Sequence, residues 1–228
     1  MSLEDPGLIH HAWEAVSQSW PGMLLGGGLL LVATGAGTAL AGVPSFLPVR
    51  LVKWWVRHIA RFVFRSRSLT VRTAVVLLNN FTVLTLLVAA GAWTWGAVVA
   101  IAIIGVNLGI GLRVLRHETA PLFDGLTQSI NRNPAASRDR RLVRWGTTLN
   151  LLEPPAIMIA LGLSLRRAAT ALDADIVWFT FAMWVVPLTF VAAFGEALWI
   201  GVVVRAAESA GAGAYSAKDD SGNTGDDP

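Results

Sequence analysis

The sequence predicts an all-α fold: a polytopic transmembrane helical bundle of about five spans, with basic amphipathic helices at the membrane interface. Three observations predict it. Hydrophobic residues make up 54% of the chain and charged residues only 14%, at a mean hydropathy of +0.56, whereas a soluble domain carries about 25% charge. The apolar residues gather into five runs, each at or above the roughly 17 residues that the shortest membrane-spanning helices need. The cations gather between those runs. Seven of the 18 Lys and Arg lie in 50–72 and seven in 113–144, the pattern of loops held on the cytoplasmic side. The chain contains no cysteine, which excludes disulfides, thiol catalysis and iron–sulfur sites.

Residues 1–20 form an N-terminal interfacial segment. Ile9, Ala12, Trp13, Val16 and Trp20 recur at three- and four-residue steps, the spacing of a short helix lying on the membrane face. His10-His11 has metal-binding or pH-sensing chemistry, but no further ligand accompanies it and no metal site is predicted. A basic n-region is missing, so no signal peptide is predicted. The first span, 21–43 within a unit of 21–49, makes about 35 Å of helix at 1.5 Å per residue. Its small-xxx-small pairs Gly22/Gly26, Gly35/Ala39 and Thr38/Gly42 predict close approach by another helix.

Residues 50–72 form a basic cytoplasmic amphipathic helix. Arg50, Lys53, Arg57, Arg61 and Arg65 fall along one face, and Leu51, Trp55, Ile59 and Phe62 along another. Cations beside an aromatic face suit anionic lipid headgroups rather than nucleic acid.

A core of 73–205 then supplies four spans, 73–95, 96–112, 145–165 and 176–204. The Trp93-Thr94-Trp95 turn joins the first two into a hairpin with an aromatic tip, and Gly105/Gly109 make a GxxxG step. Between 113 and 144 lies the second basic cluster, broken at Asn133-Pro134. The last span is bent at Pro187. Residues 206–228, rich in Gly, Ser and Asp, read as a disordered acidic tail. Both basic clusters inside the cell place the N-terminus outside and the C-terminus inside. Arg166-Arg167 strains this topology by falling outside. A re-entrant 145–165 is the alternative, and it would keep those arginines inside.

Leu152-Glu153-Pro154-Pro155-Ala156 interrupts the fourth span. Pro154 and Pro155 have no N–H for the carbonyls of Asn150 and Leu151, and an ion such as Glu153 near mid-bilayer costs on the order of 3 kcal/mol. At 1.5 Å per residue from the cytoplasmic boundaries, Asn79 and Asn80 lie roughly 11–12 Å deep, Asn107 roughly 9 Å, Glu153 about 12 Å and Glu196 about 13 Å. Four spans thus bring amides or carboxylates to nearly one depth. Two readings follow: interhelical hydrogen bonding that packs the bundle uniquely, or a proton- or ion-linked site at a discontinuous helix.

The motifs from Asn79 to Trp199 resemble the stage II sporulation protein M family. They read Leu78-Asn79-Asn80-Phe81, Gly91-Ala92-Trp93-Thr94-Trp95-Gly96, Asn107-Leu108-Gly109-Ile110-Gly111, Leu152-Glu153-Pro154-Pro155-Ala156 and Phe194-Gly195-Glu196-Ala197. The chain departs from many relatives in having Thr148-Leu149-Asn150-Leu151 where they carry Leu-Pro-His-Gly. It also lacks the soluble insertion common before the paired Asn. The resemblance implies an integral protein of the cytoplasmic membrane, serving as a scaffold or assembly subunit with protein partners or as a homo-oligomer. No Gly-x-Ser-x-Gly, phosphate-binding loop or His-Glu-x-x-His motif occurs, so neither an enzyme nor a cofactor is predicted. The alternative is a permease or channel subunit with Glu153 and Glu196 on its path.

Overall fold

The computed structural model describes residues 6–43, 47–66, 68–132, 137–170 and 172–220. The described residues are all-α. Helix α1 (Pro6–Ser17) leads into α2 (Trp20–Leu40), followed by α3 (Leu47–Arg65), α4 (Leu69–Ala90) and α5 (Gly96–Arg132). Then come α6 (Ser137–Asn150), α7 (Glu153–Thr170) and α8 (Ala174–Thr180), and a π-helical turn (Phe181–Val185) leads into α9 (Val186–Asp220).

Five segments are long and apolar enough to cross a membrane: Trp20–Leu40, Leu69–Ala90, Gly96–Val114, Arg141–Thr170 and Ala174–Arg205. They match the five predicted spans, and successive spans run in opposite directions. The start of α2, the α4–α5 turn and the end of α7 meet at one end of the bundle, here the tip. The end of α2, the start of α4 and Arg205 lie at the other, the base. Within Arg141–Thr170, Gly146 lies against Gly195 and Trp199 near the base, and Gly162 against Ser19 and Met23 near the tip. This segment therefore traverses the bundle instead of re-entering it.

Small residues set the tightest crossing. Gly37 of α2 faces the Val106 backbone, while Gly105 and Gly109 of α5 face Ala33 and the backbone of Leu30, Thr34 and Gly37. A Cβ at Gly109 would collide with the Thr34 carbonyl, so these helices touch backbone to backbone. Gly22 and Gly26 are used too, against Gly162, Leu161 and Leu165 of α7, whereas Gly35 has open space around it. Thr38 Oγ1 donates to the Gly109 carbonyl at 3.3 Å, and Arg113 donates to the Thr38 carbonyl at 2.9 Å.

The main core joins Leu84, Leu87 and Val88 of α4, Ile101 of α5, Ala156, Ala160 and Leu161 of α7, and Val177, Phe181 and Val185. Ser164 Oγ donates to the Leu87 carbonyl at 2.7 Å. Pro187 lacks the N–H that an α-helix would direct to Met183, and the widened π turn lies just before it, absorbing the mismatch.

Three features extend or modify the sequence reading. In α1 Ile9 and Trp13 of the stripe assigned to the membrane face are exposed, while Ala12 of that stripe joins Leu8 and Ala15 on the face turned into the protein. The small alanines let α1 lie close, and Trp13 packs at its edge with ring centroids 5.7 Å from Trp184. Helix α5 continues beyond its span to Arg132. Helix α9 continues to Asp220, past Arg205, where the sequence reading starts its tail; residues 221–228 lie outside the described residues.

Candidate functional site

The site forms where the fourth span breaks. Helix α6 ends at Asn150 and α7 begins at Glu153. The Leu151 N–H bonds the carbonyls of Thr147 and Thr148, both at 3.3 Å, and the Leu152 N–H bonds Leu149 at 3.1 Å. On the far side Ala156 N–H reaches the Leu152 carbonyl at 3.4 Å. The double proline thus sits in the first turn of α7, where helix N–H groups have no intrahelical acceptor and proline is tolerated. Its cost falls on α6, because the carbonyls of Asn150 and Leu151 receive no bond from Pro154 or Pro155. Glu153 stands at the positive end of the α7 dipole, a position favourable to a carboxylate.

The Asn pair of α4 reaches this carboxylate. Asn80 Nδ2 donates to Glu153 Oε1 at 3.0 Å, and Asn79 Nδ2 donates to Asn80 Oδ1 at 3.1 Å. All three residues are half-buried. The hydrogen-bonded run Asn79–Asn80–Glu153 ties α4 to α7 at the point where the helix is interrupted.

Glu196 enters from α9. Gly195 packs against Leu149, Gly146 and the Asn150 backbone nitrogen, with Gly146 packed reciprocally against Gly195. A Cβ on Gly195 would stand 2.6 Å from Leu149 Cβ and 2.9 Å from the Gly146 carbonyl, so the glycines bring the end of α6 onto α9. Glu196 is half-buried, and its carboxyl is in electrostatic range of Glu153. Asn150 completes the group. Its Oδ1 is buried and has no hydrogen-bond partner among the described residues. Nearer the base, the buried Arg72 side chain packs beside Gly201.

Asn107 stands apart from this group. It is exposed on α5, on the side of the helix opposite Gly105 and close to exposed Ile103. Depth alone placed it in the layer, but the glycine face of α5 turns toward α2 and carries Asn107 outward. Sequence reasoning missed the roles of Asn150, Gly146 and Gly195. The four-residue spacing of Gly146 and Asn150, beside Gly195-Glu196, is the signal that could have found them.

The interfacial cations divide as well. Arg50 is exposed, whereas Lys53 donates from Nζ to the Ala41 carbonyl at 2.9 Å, satisfying the end of α2. The side chains of Arg57, Arg61 and Arg65 lie outside the described residues. Arg166, the topological strain, donates to the Ala15 carbonyl at 2.9 Å and to Gln18 Oε1 at 2.5 Å, fastening α1 to α7. It borders a shallow cavity of about 430 Å³ at the tip, lined also by Pro21, Gly22, Leu25 and Leu165. Among the described residues no three His, Cys, Asp or Glu side chains cluster as a metal site. Comparison with known proteins finds no matching family model, curated protein or solved structure.

Proposed function

We propose that the chain is a non-enzymatic scaffold or assembly subunit of a cytoplasmic-membrane complex, the role that its resemblance to the stage II sporulation protein M family implies. On this reading the N-terminus is outside and the C-terminus inside. The observation that carries it is the Asn79–Asn80–Glu153 run. A carboxylate at membrane depth persists when neighbouring helices satisfy it, and here α4 does so, fixing how the spans pack. A membrane protein that presents one invariant surface to its partners has this use for a buried polar layer.

One observation favours the second reading, a permease or channel subunit. The unpartnered Asn150 Oδ1 lies at a helix break whose carbonyls have lost their donors, beside the Gly195-Glu196 turn. Acceptors gathered at a broken helix are the means by which secondary transporters hold protons and small cations.

Glu153→Gln and Glu196→Gln, made singly and together, separate the two. Thermal unfolding in detergent is measured beside proton and sodium flux in proteoliposomes. The scaffold reading expects each single variant to melt lower, the double to recover part of the loss through coupling, and no carboxylate-dependent flux. Variants as stable as wild type that abolish a measurable wild-type flux would establish the permease reading instead.

A further inference from the structure

We infer that α3 is an in-plane anchor, seated among the anionic headgroups of the leaflet at the base of the bundle, with an exposed aromatic face of its own in the acyl region. The sequence divides α3 into two faces; the structure divides it into three. Val49 is fully buried with Ala41, Ile110 and Val114, and Val63 is buried with Val76, Ala193 and Ile200. Val52 and Ile59 add to the same stripe, so one face docks on the bundle over about 21 Å of helix. A second apolar stripe is left uncovered by other helices among the described residues: Leu51, Trp54, Trp55 and Phe62 are 58%, 58%, 48% and 57% exposed, and Trp54 meets only His58 of its own helix, ring centroids 4.2 Å apart. The third face carries positions 50, 53, 57, 61 and 65, one cation per turn, and α3 contains no acidic residue.

Charge and the flanking spans identify the occupant. At 100° per residue the cationic positions cover about 120° of the helix, with the exposed apolar stripe on one side of them and the docked stripe on the other. A helix resting on a bilayer beside its own protein has use for all three, an acyl-facing, a headgroup-facing and a protein-facing side. Flanking segments place the bilayer there, because α2 ends at Leu40 and α4 begins at Leu69, both membrane spans. Cation and tryptophan together fit phosphate-bearing anionic lipid.

The chain has no cysteine, so Leu51→Cys and Arg50→Cys each give a single site for an environment-sensitive fluorophore. Both positions are exposed, and circular dichroism with thermal unfolding checks that each variant keeps the wild-type fold. Phe62→Cys repeats the test should either fail. The full chain is placed in vesicles of phosphatidylcholine with phosphatidylglycerol. The label at 51 or 62 is expected to be quenched by a lipid-borne quencher, and the label at 50 by aqueous iodide. Exclusive quenching by iodide at both positions overturns the proposal, and so does shielding from both quenchers, which would mean a second copy or a partner covers the face. In wild type, phosphatidylglycerol should be retained over phosphatidylcholine, with Arg50→Gln, Arg57→Gln and Arg61→Gln lowering that preference by up to about fivefold per charge. An unchanged preference overturns the anionic assignment.

Discussion

At the scale of single residues, the polar groups inside this bundle act as fasteners with definite partners. Glu153 accepts from Asn80, and an interhelical hydrogen bond in a membrane contributes about 1–2 kcal/mol. Asn80→Leu and Glu153→Leu should each lower thermal stability by that order. In a double-mutant cycle their effects should fall short of additive, since each removes the same bond; strict additivity would deny the contact. Arg166 makes a comparable pair of bonds across 151 and 148 residues of chain, to Ala15 and Gln18. Arg166→Ala should leave the five-span core folded and release α1, read as faster amide exchange confined to residues 6–19. Its location at the tip looked like a violation of charge asymmetry from sequence. Burial against carbonyl acceptors explains why an arginine is stable there. Asn107 shows the converse limit, because depth along a span can be counted from sequence, whereas azimuth depends on which face another helix covers.

Among helices, the interruption at Leu151–Leu152 and the glycine-lined crossing of α2 with α5 are the determining features. The break was readable because two prolines and a carboxylate admit few other outcomes. The pairing of α2 was readable only in part. Small residues recur on several of its faces, and the structure uses Gly37 and Gly26 while leaving Gly35 open. Gly109→Leu should therefore destabilise by about 2 kcal/mol or more through forced separation of two backbones. Gly35→Leu should change the melting temperature little, and an equal loss at both sites would refute the assigned interface. In α1 the outward Ile9 and Trp13 were legible in the sequence, whereas the inward placement of Ala12 was not, because alanine at 12 and 15 buries little area by itself yet permits close approach.

For the whole molecule, the alternating directions of the five candidate spans place the start of α2 and Arg205 at opposite ends of the bundle. In this cysteine-free chain, Thr94→Cys at the exposed hairpin tip should react with an impermeant maleimide added outside cells. Arg141→Cys, exposed at the base, should react only after permeabilisation. The reverse result would invert the orientation and keep the fold. The number of spans and their order were legible because hydropathy and the spacing of cations are additive along the chain. Which residues meet was not, since Gly146, Asn150 and Gly195 acquire their roles only when α6 lies on α9.

The bond between Asn80 and Glu153 also has a consequence for biogenesis. Chains are made from the N-terminus, so Asn80 is made 73 residues before Glu153. Helix α2 contains no charged residue and can wait in lipid alone. Glu153 enters a bilayer that already holds its donor, and α9 then brings Glu196 to a layer whose other members are assembled. The order of synthesis spares the translocation machinery from releasing the broken span into lipid unaccompanied.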